Sequence, residues 1–304
     1  MVILSEKIQQ LDFYQRFEIM AGHITLASDS SLDIFPDNKI GSFRVKLPRK
    51  IFVDRKRHQI GLKYISFPLK SHNVEDGKLS IVFFSTSNLT ERLPLQFDTE
   101  IETGHYESPD DLVEALNGAL AKIPETYPVN YNSIALNGVN LDQSFVLFEY
   151  NRHTEKITIN AQETEYYDIS LRMSKELFVK LGIGLEEEVR FTDGNCCRFF
   201  PLPREGSHTV DLDVGRSSIF VYTDVIEADR VVGHRLVPLL AIVPSVGAHG
   251  QQCYYEPRSI EYCTPRYDTF DEILIELTGD TGQIMKFTSG KVYLTLRIKD
   301  RFEQ

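Results

Sequence analysis

Cysteine is scarce in this chain, and tryptophan is absent. The four cysteines among the 304 residues are Cys196, Cys197, Cys253 and Cys263. An adjacent pair does not readily bridge to itself, and neither a C-x-x-C pair nor a Cys/His zinc spacing occurs. The pattern therefore predicts free thiols in a reducing compartment rather than a disulfide framework or a zinc site.

Long apolar runs and excess positive charge are missing as well. No stretch approaches the roughly 18 apolar residues of a membrane-spanning helix, and the apolar start of the chain is broken at Ser5, Glu6 and Lys7. We therefore expect neither a membrane span nor a signal peptide. With 33 Lys and Arg against 44 Asp and Glu, the net charge is −11. The surface as a whole is not expected to bind nucleic acid or anionic membrane.

Positive charge is concentrated in one short stretch, between positions 44 and 58. This basic patch consists of Arg44, Lys46, Arg49, Lys50, Arg55, Lys56 and Arg57, with Asp54 as its single acid. The rest of the chain then holds 26 bases and 43 acids, a charge of −17. The patch can be a strand edge whose charges prevent unwanted pairing. It can also be a surface that binds nucleic acid or an acidic partner subunit, and the sequence leaves both readings open.

Strand patterns dominate both ends of the chain. Alternating or β-rich segments before the middle are GHITLAS, SFRVKLP, HQIGLKYISFPL, KLSIVFFSTS and LPLQFDTEI. After residue 206 they are HTVDLDV, SIFVYTDVI, HRLVPLLAIV, QCYYE, IEYC, DEILIEL, IMKF and KVYLTLRI. A strand roughly every 10 to 16 residues is typical of a β-sandwich rather than of alternating β-α units.

The middle third contains the helix signals. In SPDDLVEALNGALAKI, Ser108 can cap a helix that begins at Pro109, and leucines recur at helical spacing until Pro124. A hairpin is expected across 151–155, and a second helix in SKELFVKLGIG is expected to end at Gly182. We therefore predict a mostly β protein with an inserted α+β region. The sandwich would comprise residues 1–105 and 207–304, and the insertion residues 106–206.

Candidate reaction centres are weak. GIGLEEE at 182–188 places three carboxylates where a phosphate would bind, and GRSSI at 215–219 lacks the second glycine of a serine-hydrolase elbow. A thiol nucleophile at Cys196 or Cys197 would need a nearby base, and the eight histidines are scattered. The sequence predicts no enzyme, no catalytic residue and no cofactor.

One group of carboxylates could hold a hard cation. Asp211 and Asp213 are predicted to share one face of a strand, and Asp224, Glu227 and Asp229 follow closely. A solvated strand face explains the same pattern, so no metal is predicted.

Several stretches, in this order along the chain, resemble the minor capsid, or penton, proteins of Polinton/Maverick elements and their virophage relatives. They are the opening "FPDN…F…LP…I", the helix entry GHYESPDDLVEALN, the segment ending in LFVKLGIG, SIFVYTDVIEADRVVGHRLVPLLAIV and the final GQIMKFTSGKVYLTLRIK. The resemblance covers about residues 23–298. It departs at Gln59-Ile60-Gly61, where such proteins often carry a tryptophan.

The resemblance implies a jelly-roll fold, no enzymatic activity and a homopentamer at each vertex of an icosahedral virion assembled inside the host cell. Its partners would be other copies of the chain, a major capsid protein and, through the basic patch, the genome. Two alternatives remain. One is a small double jelly-roll major capsid protein that forms trimers. The other is a sandwich that binds receptors or carbohydrate through Tyr254, Tyr255, Tyr262 and Tyr267.

Overall fold

A computed structural model describes residues 22–85, 95–127, 145–162, 167–183, 191–192, 196–197 and 200–302. The chain divides into two compact units, 1–71 with 215–304, and 72–214. The strands are β1 (Gly22–Ala27), β2 (Ser42–Phe52), β3 (His58–Pro68), β4 (Lys78–Ser85), β5 (Leu95–Glu100), β6 (Val146–Asn151), β7 (Lys156–Ala161), β8 (Tyr167–Met173), β9 (Phe191–Thr192), β10 (Cys196–Cys197), β11 (Phe200–Pro201), β12 (Arg204–Glu205), β13 (Ser218–Thr223), β14 (Arg230–Val232), β15 (Arg235–Val237), β16 (Leu239–Pro244), β17 (Gln252–Tyr255), β18 (Tyr262–Cys263), β19 (Thr269–Thr278) and β20 (Tyr293–Asp300). The helices are α1 (Pro109–Ala121), α2 (Ile123–Thr126) and α3 (Lys175–Lys180).

The first unit is a sandwich of two antiparallel sheets. Sheet 1 has the strand order β1-β20-β3-β17, with β18 also paired to β3, and sheet 2 has the order β16-β13-β19-β2. Lettered B to I along the chain, with β17 and β18 together as G, the orders are B-I-D-G and F-E-H-C. Each sheet thus interleaves strands from the two ends of the chain, as two Greek keys folded together require. This is the jelly roll, and the predicted fold class is confirmed.

The last strand, β20, is central to sheet 1. It pairs with β1 from Gly22↔Ile298 onward and with β3 along nearly its whole length. Its inward residues Leu294, Leu296 and Ile298 are at most 1% exposed. They join one core with alternate residues of both sheets, among them Leu26, Phe43, Ile65, Phe67, Ile219 and Ile275.

The second unit has its own core and its own sheets. Its strand orders are β11-β8-β4-β5 and β12-β7-β6, with β9 and β10 as a separate pair. In the described residues, neither order repeats that of the sandwich. Helix α1 buries Leu112, Leu116 and Leu120 in the same core as β4, β6 and β7.

The predicted capping of α1 is confirmed. The Ser108 hydroxyl accepts a hydrogen bond from the Asp111 N–H (3.2 Å), and the Asp111 carboxylate accepts one from the Ser108 N–H (3.0 Å). This reciprocal pair satisfies N–H groups that the first turn leaves free. The predicted hairpin across 151–155 is also present, as β6 and β7.

Asparagines from the recognised motifs hold backbone segments together. Asn38, in FPDN, donates to the Arg44 carbonyl and accepts from the Arg44 N–H, both at 2.8 Å. Asn117, in ALN, makes the same two-way contact with Phe148 at 2.9 Å. An amide side chain offers both a donor and an acceptor, so it can replace a strand neighbour. These contacts explain why an asparagine suits positions 38 and 117 of the two motifs.

Three predicted strands differ from the structure. HTVDLDV is not a strand, because its N–H groups bond elsewhere: Val210 donates to the Glu155 carbonyl and Asp211 to the Lys180 carbonyl. HRLVPLLAIV is divided into β15 and β16 at Pro238, which has no N–H for a ladder. IMKF makes isolated bridges at Ile284 and Phe287 instead of a strand.

The limits of the units also lie elsewhere than the predicted 105/106 and 206/207. The units meet at 71/72 and 214/215. The reason is strand pairing: β4 pairs with β5 and with β8, so both β4 and β5 belong to the sheet of the second unit.

Candidate interaction surfaces of the sandwich

Two members of the basic patch lie on the outer face of sheet 2 beside carboxylates. Arg44 lies 3.4 Å from Glu272 and 3.9 Å from Asp224, and Lys46 lies 3.1 Å from both Glu272 and Asp271. Hydrogen bonds to Glu272 and Asp271 raise the pKa of Lys46. Strand β19 supplies Glu272, which lies directly opposite Lys46 of β2, and Asp271, which lies beside it at a shift in the strand register.

Two more members of the basic patch form ion pairs with carboxylates at one end of the sandwich. Arg55 contacts Glu227, and Arg57 lies 2.5 Å from Asp300. Hydrogen bonds to its carboxylate, first from the Phe302 N–H and then from the Arg57 side chain, lower the pKa of Asp300. Four of the seven patch residues are thus matched by carboxylates that are distant in sequence. The binding role of the basic patch stays a prediction.

The other three members are exposed. Arg49, Lys50 and Lys56 have no carboxylate within 4.0 Å in the part of the chain that the structure describes. They are the members still available to an anionic partner.

The outer face of sheet 1 is rich in tyrosine. Its outward strand positions include Tyr64, Tyr254, Tyr262, Tyr293, Arg297 and Lys299, and we call this set the tyrosine face. Tyr254 and Tyr293, which are 60% and 41% exposed, both lie opposite Ser66 of β3. The Tyr64 and Tyr254 rings stack with centroids 5.7 Å apart. Exposed rings held by a sheet lose little conformational entropy on binding.

Polar groups fix the edges of the tyrosine face. The Tyr254 hydroxyl donates a hydrogen bond to the Glu256 carboxylate (3.2 Å). The pKa of Tyr254 is raised, mainly by desolvation and then by this hydrogen bond. The Lys299 ammonium lies 4.2 Å from the Tyr262 ring centre, a cation–π contact. Gln252 donates to the Ser66 hydroxyl (3.0 Å). The face is therefore preorganised, with hydrogen-bonding groups around the rings.

The outer face of sheet 2 combines acids with apolar residues. We call it the acidic face; its residues are Arg44, Lys46, Lys50, Phe52, Phe220, Tyr222, Asp224, Ile242, Asp271, Glu272, Leu274 and Glu276. Ile242 is 49% exposed and lies directly opposite Phe220. Asp224 accepts from the Leu274 N–H (2.9 Å), and burial raises the pKa of its carboxyl.

A short hairpin, β14 with β15, projects two aliphatic side chains. Val231 and Leu236 are 70% and 63% exposed and lie directly opposite each other. Gly233 takes a positive φ of 61° at the two-residue turn, which glycine adopts without strain. Strand β15 continues through Pro238 into β16, the edge strand of sheet 2.

The remaining candidates from the sequence are the cysteines, the GIGLEEE segment and the carboxylates at 211 and 213. Cys253 and Cys263 are buried free thiols, and burial raises the pKa of Cys263. Cys196 and Cys197 form β10, and their side chains, like GIGLEEE beyond Ile183, lie outside the described residues. Asp211 and Asp213 do not share a strand face: Asp211 precedes a turn that contains Asp213, and its carboxylate accepts a hydrogen bond from the Asp213 N–H (2.9 Å).

The described residues include neither a metal-binding cluster nor a membrane-spanning helix. There, no three His, Cys, Asp or Glu side chains are grouped to hold a metal ion. No described helix has the length and apolarity to cross a membrane. A cleft of about 160 Å³ beside Arg230 and Glu261 is smaller than ordinary ligand pockets, whereas a more open groove of about 550 Å³ beside Asp98 and Glu100 of the second unit falls within their range.

Sequence reasoning identified Tyr254 and Tyr262 but not Tyr64, Tyr293, Phe220 or Glu276. The alternation within each strand could have marked the last four as outward, but their neighbours depend on pairing between distant strands. Tyr267, the remaining exposed ring of the predicted platform, lies in the β18–β19 loop beside Arg266.

The first unit is thus a jelly-roll sandwich that exposes aromatic, aliphatic and charged side chains on the tyrosine face, the acidic face and the β14–β15 hairpin. The chain is similar in structure to the selenomethionine-labelled mavirus penton protein, with 11% sequence identity, a TM-score of 0.47, and coverage of 92% of this chain and 100% of that one. It is also matched to the D1–D3 domains of the flagellar cap protein FliD from Escherichia coli, with 10% identity, a TM-score of 0.12, and coverage of 91% and 55%. Scores below 0.5 do not establish a shared fold, so the fold assignment rests on strand order. No family model and no curated protein matches the sequence.

Proposed function

We propose that this chain is a structural capsid protein, a penton subunit that assembles as a homopentamer at the vertices of an icosahedral shell. The observation that carries the proposal is the B-I-D-G and F-E-H-C strand order of the sandwich. Jelly rolls with this double Greek key build many viral capsids, although lectins and cupins share the architecture.

The distribution of accessible groups favours assembly over turnover. Exposed aromatic rings and aliphatic side chains lie on the tyrosine face, on the acidic face and on the β14–β15 hairpin. Exposed apolar patches of this kind are typical of surfaces that bind other proteins. The partners would be other copies of the chain and a major capsid protein, and the location would be the virion. Arg49, Lys50 and Lys56 are the patch residues proposed to contact the genome or an acidic neighbour.

A carbohydrate-binding role is the second candidate, and the stacked pair Tyr64 and Tyr254 favours it. Stacked, exposed rings with polar groups around them can bind the apolar side of a sugar. The double jelly-roll alternative is less favoured, because the sheets described in the second unit have different strand orders.

Electron microscopy and native mass spectrometry of the purified chain test the proposal. We expect rings with fivefold symmetry and a mass of five chains. Threefold particles would indicate the major capsid alternative. A monomer at all concentrations, with glycan binding abolished by Tyr254→Ala, would replace the capsid proposal with the carbohydrate one.

A further inference from the structure

The two outer faces of the sandwich carry opposite charge. In the outward strand positions of sheet 1, Arg297 and Lys299 are unaccompanied by carboxylates. Glu256, just beyond β17, leaves the tyrosine face with one excess base. The acidic face holds three bases, Arg44, Lys46 and Lys50, against four acids, Asp224, Asp271, Glu272 and Glu276, so one acid is in excess. Glu276 has no cation within 4.0 Å in the described residues.

The faces also match in apolar character. The tyrosine face offers Tyr254 and Tyr293, and the acidic face offers Ile242 beside Phe220. Interfaces are enriched in aromatic residues and Arg, and opposite charge on the two partners favours specific association. Neither face complements itself, since each carries one sign of excess charge.

We propose that the tyrosine face of one copy packs against the acidic face of the next. Because the two surfaces differ and lie on opposite sides of one sandwich, the contact is head to tail, and it closes into a ring when the rotation between copies permits. The inference rests on the proposed homopentamer and names the surfaces that build it. Tyr254 on one side and Ile242 on the other are its central residues.

The size of the faces indicates what else takes part. Four strands spaced about 4.8 Å apart, each of six residues rising about 3.3 Å, project roughly 400 Å². A stable contact buries about 800 Å² per partner. The flanking hairpin with Val231 and Leu236 is continuous with the edge strand β16, so it can enlarge the acidic side of the contact.

Sedimentation velocity of two variants and their mixture tests the inference. Tyr254→Asp places an acid opposite the acidic face, and Ile242→Asp places a charge in its apolar part. Each variant alone should weaken every contact about 30-fold or more and sediment as a monomer where the wild type forms rings. Mixed in equal amounts, the two variants retain one intact pair of faces and should form a dimer that grows no further.

Matched controls separate the contact from a general effect of added charge. Tyr267→Asp removes a ring that is 43% exposed in a loop, and Leu32→Asp changes an aliphatic side chain that is 47% exposed between β1 and β2. Both should form rings of wild-type mass. Thermal unfolding of all four variants verifies that each is folded.

The other outcomes overturn the inference in distinguishable ways. Rings of wild-type mass from Tyr254→Asp or Ile242→Asp would leave the pentamer standing but assign that face to another partner, such as a major capsid protein or carbohydrate. Monomers in the equal mixture would show that the two faces do not bind each other. A wild type that stays monomeric at every concentration would overturn the inference together with the homopentamer.

Discussion

Both units pair their strands, but side chains that bond to both backbone groups of another residue are more frequent among the described residues of the second unit, with Asn73 and Asn117, than in the sandwich, with Asn38. In the sandwich, strands far apart in sequence pair along their length, as β1 does with β20. In the second unit, polar side chains take over part of this role: Asn73 bonds to both backbone groups of Tyr106, and Asn117 does the same for Phe148. The sandwich should therefore be sensitive to close contacts between strands and loops, and the second unit to the loss of single polar residues.

Glu176 and Lys180 of α3 are the most connected of these polar residues. The Glu176 carboxylate accepts hydrogen bonds from the N–H groups of Glu75 (3.0 Å) and Asp76 (2.9 Å). Lys180, whose side chain is 4% exposed, lies 4.0 Å from Glu176 and donates to the Leu212 carbonyl (2.9 Å). One helix turn thus binds the segments near both ends of the second unit.

The largest effect is expected from Glu176→Ala. It removes the acceptor of two backbone N–H groups and the carboxylate that lies 4.0 Å from the buried Lys180 ammonium, which should lower the free energy of unfolding by about 3 kcal/mol. Urea unfolding measures the loss, and hydrogen exchange at Glu75 and Asp76 locates it. Glu114→Ala, on the exposed side of α1, is the control and should change stability little. Equal losses from both variants would contradict the assigned role of Glu176.

Asn117→Ala should cost somewhat less, about 2 kcal/mol, because the N–H and carbonyl of Phe148 lose their partners. The neighbouring Gly118→Ala is a sharp comparison. Nothing lies within 4 Å of the added Cβ, so it should stabilise α1 by roughly 0.5–1 kcal/mol. Both the Tm and the urea midpoint should therefore fall for Asn117→Ala and rise for Gly118→Ala. A neutral Asn117→Ala would mean that water replaces the amide without loss.

Gly61→Ala tests close approach in the sandwich. The added Cβ would lie 2.4 Å from Ile260 Cγ2 and 2.8 Å from the Glu261 carbonyl oxygen, so the loop before β18 must shift, at about 1–2 kcal/mol. Gly104→Ala, with open space at its Cβ, is the control. Calorimetry should find a lower Tm for Gly61→Ala. Equal Tm values would show that this loop does not restrict β3.

The smallest effect is expected from Asp224→Asn and depends on pH. Burial raises the Asp224 pKa above 3.8, so the folded state retains a proton that the unfolded state releases. Stability should then fall as pH rises from about 3.8 through the raised pKa. Asparagine keeps the acceptor for the Leu274 N–H and removes this slope, which Tm values from about pH 3 to 7 would reveal. Identical pH profiles for both proteins would contradict the raised pKa.

The helix α1 could be predicted from sequence because its signals are local. Ser108, Pro109 and the leucine spacing lie within one segment, and no distant residue is needed to interpret them. The motif asparagines were found as a pattern, but their contacts with Arg44 and Phe148 needed coordinates.

The surfaces could be predicted only in part. Residues 44–57 are rich in bases, yet Glu272 and Asp224, which neutralise Arg44, are far away in sequence and are brought close by the pairing of β2 with β19 and of β19 with β13. The same holds for the Tyr64 and Tyr254 stack, which requires β3 beside β17. Alternation within a strand indicates which residues point outward; only strand order indicates what lies beside them.

Cryo-electron microscopy of the purified wild-type assembly tests the central claim most directly. The account predicts a fivefold ring in which Tyr254 of each copy lies against the next copy's surface around Ile242. A threefold particle, or a ring in which both faces remain in solvent, would contradict it.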